Sequence, residues 1–349
     1  MNRREFVESV ATTTALIPSA AIATDQLNSL KTQLIESRYK DQASFVLEND
    51  VVRAEFVAHG ARMVSLRDKR LNHEFLFQQG SPKYLQGEYG GLLTPDQAAG
   101  YDDMFPTISE CFYEDAPWKG VLLPDHGEVW SLDWKVGKEG SALSFTVAGV
   151  RLPYRLSRRI TLSAANELRM DYLLENLSDF DMVYLWSAHP IFRTEPGCRI
   201  VLPQECRQGR TAMSLSGRLG SYGDDFNWPI WTDSKGKRHD LSLLRGPQAQ
   251  DAEKYFFRNK LVTGWCRFQY PSNGASIRIS FPAEELPFLA IVVAENAPGD
   301  PRSLVLLEPC SAPFDRIDIS KFYTKDSKIA ARSVRKWSLG FSLDVGKRG

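Results

Sequence analysis

Tyr154-Arg155-Leu156-Ser157-Arg158-Arg159-Ile160-Thr161-Leu162 carries a period of two. Tyr154, Leu156, Ile160 and Leu162 fall on one face, and Arg155, Ser157, Arg159 and Thr161 on the other. A strand with one face in a core and the other toward solvent has this pattern, and antiparallel sheets are its usual home. Leu168–Leu174 repeats it, with Leu168, Met170, Tyr172 and Leu174 on one face, as does Trp337–Val345. Trp130, Leu132, Trp134 and Val136 alternate in the same way over Val129–Val136. Shorter runs add strands at Ala43–Leu47, Val51–Val57, Glu74–Phe77, Leu143–Val147, Met182–Trp186, Arg199–Leu202, Val262–Tyr270, Ser276–Phe281, Phe288–Val293 and Ser303–Leu307. No amphipathic helix emerges between residues 43 and 349. So many strands exceed what one open sheet holds without curling or splitting. The expected fold is therefore all-β, a large antiparallel β-sandwich carried by one domain over residues 43–349. The polar stretch from Gln204 to Lys260 has neither period and reads as loops covering one rim.

Upstream of the strands, Leu27, Leu30 and Leu34 lie at helical spacing and predict a helical or linker segment over residues 24–42. Ahead of it, Arg3-Arg4-Glu5-Phe6, a weakly apolar run from Val10 to Ile17 and Ala21-Ile22-Ala23 resemble a twin-arginine export signal with its cleavage site. Residues 1–23 are thus expected to be removed, and the mature protein to be periplasmic. Asn2 and Glu8 depart from that pattern.

The chain has 349 residues, with 43 Lys+Arg balanced by 43 Asp+Glu. A protein without a basic excess is poorly suited to neutralising phosphates, so nucleic acid is not an expected partner. With 43% apolar and 25% charged residues, the composition excludes a disordered chain. No apolar run reaches the length of a membrane-spanning helix. Cys111, Cys198, Cys206, Cys266 and Cys310 show no CxxC spacing, which leaves neither a disulfide framework nor a zinc knuckle to read. No metal and no cofactor are expected.

Three short sequences could carry chemistry: Pro124-Asp125-His126-Gly127-Glu128-Val129-Trp130, Trp186-Ser187-Ala188-His189-Pro190-Ile191-Phe192 and Leu306-Leu307-Glu308-Pro309-Cys310. In the last two a titratable residue closes an apolar strand and precedes proline, which holds it extended. His189 and Glu308 placed in that way at a sheet end suit a positioned acid and base. Locally, His189 also reads as a capping residue, Glu308 as half of a buried ion pair, and Asp125-His126-Gly127 as a tight turn.

Taken in order, these residues resemble the aldose 1-epimerase, or galactose mutarotase-like, superfamily. The resemblance spans roughly residues 43–345 and rests on His126-Gly127 before Trp130 and Trp134, on His189 with Phe192, and on Glu308. Gly100-Tyr101-Asp102-Asp103-Met104-Phe105-Pro106-Thr107 is similar to one bacterial branch. The resemblance implies a large antiparallel β-sandwich and interconversion of the α and β anomers of an aldose. Glu308 would be the general base at the anomeric hydroxyl, His189 the general acid at the ring oxygen, and His126 a hydrogen-bond partner of the sugar. A carboxylate beside His189 would favour its charged form, with Glu308, Asp103 and Asp125 as the candidates. Trp186, Trp130 and Phe105 are the candidate aromatic faces for a pyranose. Two departures bear on the substrate. The arginine-containing segment upstream of His-Gly is here Tyr89-Gly90-Gly91-Leu92-Leu93-Thr94-Pro95-Asp96, and Trp130 and Ser131 stand where sugar-phosphate-specific members carry arginine. The expected ligand is a non-phosphorylated sugar or glycan end. A non-catalytic carbohydrate-binding protein on the same scaffold is the main competitor. A hydrolase or lyase is the other; it would need a second carboxylate such as Asp102 or Asp103.

Overall fold

The computed structural model describes residues 32–324 and 327–346. A 12-stranded sheet and an 8-stranded sheet dominate it, with three two-stranded ribbons at the margins. All strand pairs within the sheets are antiparallel. The strand that opened the sequence reading, Tyr154–Ala164, lies inside the 8-stranded sheet between Ala142–Ala148 and Glu167–Asn176. Tyr154, Leu156, Ile160 and Leu162 are buried as the period requires. They join an apolar cluster that draws side chains from both sheets, from Leu47 to Leu343. Burying such a face, at about 25 cal/mol per Å², is what drives the two sheets together.

Arg158 occupies the apolar face of this same strand and is fully buried. It donates to Asp103 at 3.0 Å, and its guanidinium lies over the rings of Tyr101, Trp134, Phe145 and Tyr172. Tyr101 and Tyr172 also donate to Asp103, at 2.9 and 3.0 Å. A charge so far from water persists only when paired and hydrogen-bonded.

Several sequence expectations are corrected. The helix expected over residues 24–42 gives way to an edge strand, Gln33–Tyr39, paired with Gln42–Glu48. Leu34 belongs to that strand, whereas Leu27, Leu30 and the export segment lie outside the described residues. Gln204–Lys260 is no loop region. It contributes Gln208–Ser214, Asp225–Asn227 and Asp251–Phe257 to the large sheet, and Ile230–Thr232 with Arg238–Asp240 as a ribbon. The expected strand at Val129–Val136 splits into a 3₁₀ turn at Val129–Ser131 and a strand at Lys135–Glu139. The strand expected at Met182–Trp186 is cut to Met182–Val183, and a longer one follows at Ser187–Arg193.

The centre of the large sheet runs Tyr101–Met104, Ser187–Arg193, Asp300–Cys310, Phe288–Ala297, Asp251–Phe257. One face of these strands feeds the main core through Ala188, Phe192, Val305, Leu307, Leu289, Ile291 and Tyr255. The other face carries two small apolar clusters, one around Phe256, Phe288, Ala290, Cys310 and Phe314, the other around Ile191, Ala294, Leu304 and Leu306. Between these clusters runs a polar row.

Candidate active site

Register builds the row. His189 pairs with Asp102 on one side. On the other, Ser187 pairs with Cys310 and Ile191 with Leu306, which sets His189 opposite Glu308 midway between them. Glu308 in turn pairs with Ala290, and Ala290 with Phe256. Cross-strand partners present side chains on one face, so Asp102, His189 and Glu308 stand side by side. His189 and Glu308 therefore lie within their strands and not at the ends. The strand pairing lapses between Ser187–Cys310 and Ile191–Leu306. Pro190 and Pro309 fall in that gap, and proline has no N–H to donate to a ladder.

Each member of the row is held. His189 Nδ1 lies 2.8 Å from Asp102 Oδ1. Arg62 donates to Asp102 Oδ2 and, at 2.6 Å, to the Gln97 carbonyl. Burial pushes the Asp102 carboxyl up, but the charges of Arg62 and His189 outweigh it and hold it at about 2. The carboxylate therefore remains an anion beside the imidazole. An anion there accepts from Nδ1–H, which leaves Nε2 as the ring nitrogen not engaged by Asp102. Glu308 is 1% exposed, and its Oε2 has no hydrogen-bond partner. Lys254, two residues from Phe256 on the same face, brings its Nζ to 3.8 Å from that oxygen and 2.6 Å from Asp315 Oδ1.

A loop completes the group. His126 adopts φ 57°, and Gly127 follows at φ 71°. A side chain at Gly127 would meet the Phe105 carbonyl oxygen at 2.1 Å, so the His-Gly order is a steric requirement. The turn sets the His126 ring 5.4 Å from that of His189 and its Nδ1 2.7 Å from Asp125 Oδ2. Burial raises the Asp125 carboxyl, and the hydrogen bond and charge of His126 more than reverse this, holding it below its ordinary value. Beneath the turn, Glu128 is fully buried and accepts from Tyr89 and Tyr154 at 2.7 and 2.9 Å.

Thus Asp125, His126, His189 and Glu308 converge as candidates; Trp130, expected as an aromatic face for the ligand, is fully buried behind them, its ring 6.5 Å from His126 and its Nε1 donating to the Asp125 carbonyl, so it supports the turn and offers no face. Three other candidates are placed elsewhere. Asp103 points into the core, because alternation through Tyr101-Asp102-Asp103 sends its side chain to the face opposite Asp102. Its burial pushes the carboxyl up despite Arg158. Trp186 is fully buried against Tyr172 and Trp337, with ring centroids 5.2 and 5.1 Å away. Phe105 is fully buried against Tyr154 and Tyr184. Neither ring offers a face to a ligand. The carboxylate partner of His189 is Asp102, not Glu308, Asp103 or Asp125. Arg62, Lys254 and Asp315 were not singled out by local sequence. The one available signal was Lys254 as a lone cation in Tyr255-Phe256-Phe257 company.

No family model and no curated protein matches this sequence. Solved structures do. Slr1438 from Synechocystis sp. PCC 6803 superposes with a TM-score of 0.63 at 17% identity, covering 89% of this chain and 99% of its own. A galactose mutarotase related enzyme from Lactobacillus acidophilus gives 0.60 at 14% identity, covering 87% and 98%. The chain has the galactose mutarotase-like fold. A galactose mutarotase-like protein from Clostridium acetobutylicum adds a TM-score of 0.61 at 12% identity, over 90% of this chain and 99% of that one. In this fold the polar row crosses the middle of the larger sheet.

Proposed function

We propose that the protein is a mutarotase that interconverts the anomers of a non-phosphorylated aldose. The observation that carries this reading is His189 facing Glu308 across neighbouring strands, with a buried Glu308 oxygen left without a hydrogen bond. Such an atom is costly unless a ligand satisfies it. Glu308 takes the proton from the anomeric hydroxyl while His189 donates one to the ring oxygen, and the C1–O5 bond breaks. The aldehyde turns about C1–C2 and closes on its other face, with both transfers reversed. His126 hydrogen-bonds the sugar, and the Asp102 anion orients the His189 ring through the contact at Nδ1. Tyr222 and Tyr323, both exposed and packed on Phe314 beside Asp315, offer aromatic faces that the buried Trp186 and Phe105 cannot. Arg62 is paired with Asp102 and the Gln97 carbonyl, so it is not left over for a phosphate, which supports a neutral sugar. Arg3-Arg4 and Ala21-Ile22-Ala23 support export to the periplasm as part of this proposal.

Polarimetry on freshly dissolved α-D-galactose and α-D-glucose tests the activity. Glu308→Gln keeps shape and removes the base. It lowers the rate by about 10²-fold or more, with sugar binding by calorimetry retained. Adding His189→Asn costs less than the product of the two single losses, since the groups act as a unit. A Glu308→Gln protein that melts normally and keeps the full rate defeats the enzymatic reading and leaves a carbohydrate-binding protein.

A further inference from the structure

We propose that Lys254, anchored by Asp315, is the positioning cation of Glu308, keeping that carboxylate ionised within the sheet and donating to the same ligand hydroxyl. This rests on the mutarotase reading for its consequence in catalysis, but not for its consequence in charge.

Glu308 is nearly inaccessible, and an unpaired carboxylate in such a place would take up a proton. The groups around it are few. Its own strand offers Cys310, a buried thiol. The Phe288–Ala297 strand opposes it with Ala290, which has no charge. The Ser187–Arg193 strand offers His189, already engaged by Asp102, whose second oxygen belongs to Arg62. His126 and Asp125 pair with each other beyond His189. Among the described residues, the cation paired with Glu308 is Lys254, at 3.8 Å from Oε2.

That separation is informative. It is too long for a hydrogen bond and short enough for a strong Coulomb attraction. Asp315 holds the ammonium at 2.6 Å, and Lys254 Nζ also lies 5.7 Å from the centre of the Phe256 ring. Asp315 is itself fixed, because its carbonyl accepts from the Ile108 and Ser109 amides at 3.0 and 2.7 Å. Phe314, just before it, holds a left-handed φ of 67°, a conformation rare for a bulky residue. An ammonium has three donors. Asp315 pairs with it on one side, and Glu308 Oε2 lies 3.8 Å away on another, so an ammonium donor remains for a ligand between the two. A hydroxyl placed there bridges the two groups, losing its proton to Glu308 while Lys254 steadies the oxyanion that forms.

The test compares Lys254→Met and Lys254→Arg with the unsubstituted protein. The first readout needs no activity: carbon-13 titration of the side-chain carboxyls, with Glu308 assigned by the resonance lost in Glu308→Gln. Lys254→Met moves the Glu308 midpoint up by about one pH unit or more, the usual effect of a removed neighbouring charge. Lys254→Arg restores most of it. The second readout is mutarotation: Lys254→Met moves the acidic limb of the pH profile upward by the same amount and lowers the plateau by about tenfold or more, with KM changed less than kcat. An unmoved Glu308 midpoint in a folded Lys254→Met protein overturns the proposal. A moved midpoint in a protein without mutarotation keeps the counter-ion role and refutes the enzymatic reading instead. Should Lys254→Met fail to fold, Asp315→Asn decides: freed of its anchor, the ammonium closes on Glu308 and the midpoint falls, and a midpoint that stays or rises overturns the proposal.

Discussion

Asp102→Asn is the substitution with the most to say about the acid–base row. It keeps the size of the side chain and removes the anion that joins Arg62 to His189. At an effective dielectric of about 20, two charges about 4 Å apart attract by about 4 kcal/mol. Asparagine retains a neutral hydrogen bond worth about 1 kcal/mol. Under the proposed mutarotation, proton transfer through His189 therefore loses about 3 kcal/mol of support, which is about 10²-fold in rate. Stability falls as well. The Arg62 guanidinium, itself buried, keeps only the Gln97 carbonyl and a neutral amide oxygen. Breaking such a buried pair costs about 3–5 kcal/mol. For a chain of 349 residues, with an unfolding entropy of about 2 cal/mol/K per residue, Tm falls by roughly 4–7 °C. Polarimetry run well below the melting transition separates the two effects, with circular dichroism confirming that the sheet remains. An Asp102→Asn protein that is folded at the assay temperature and mutarotates at the unsubstituted rate refutes the argument that Asp102 holds His189 for proton transfer.

Asp103→Asn, one residue along but on the core face, strips Arg158 of its counter-ion. It destabilises by about 3–5 kcal/mol in chemical denaturation, while the rate of the remaining folded protein changes less than about threefold. Asp102 also predicts a pH window. Its folded value near 2 lies below the ordinary value of about 4. The stability it contributes is complete above about pH 4 and is lost as pH falls through about 2, amounting to about 2–3 kcal/mol. Acid unfolding followed by tryptophan fluorescence shows this loss in the unsubstituted protein and a smaller one in Asp102→Asn. Lysine at both Arg3 and Arg4 leaves full-length precursor in the cytoplasm, as fractionation and immunoblotting report; normal export of the double variant rejects the twin-arginine assignment.

Strands with a clean inside and outside were readable from residues alone. Tyr154–Ala164, Glu167–Asn176 and Val334–Val345 in the 8-stranded sheet put one face in the core, and their alternation survives in the burial. Asp251–Phe257 escaped notice because both its faces are covered, Tyr255 by the core and Phe256 by the small cluster, so no period of two remains. Gln33–Tyr39 was mistaken for helix because a mostly exposed edge strand has no buried face to impose a pattern, leaving Leu34 free to suggest a longer spacing. In the site, His126, His189 and Glu308 stood out through their neighbours in sequence. Asp102, Arg62 and Lys254 reach the site through pairing between strands far apart in the chain. Choosing Asp102 over Asp103 required knowing which face of Tyr101–Met104 looks inward, and two adjacent carboxylates do not tell that themselves.

His189 and Glu308 sit opposite one another on adjacent strands of one sheet. Neighbouring strands lie about 4.8 Å apart wherever they pair. The distance from His189 to Glu308 is thus set by the backbone's own lattice, and it cannot drift with the length or sequence of a surface loop. What can vary are the segments that border the row through Gln97, His126 and Asp315. Under the proposed mutarotation, the sheet is a fixed ruler for proton transfer across one sugar ring, and the borders decide which ring is admitted.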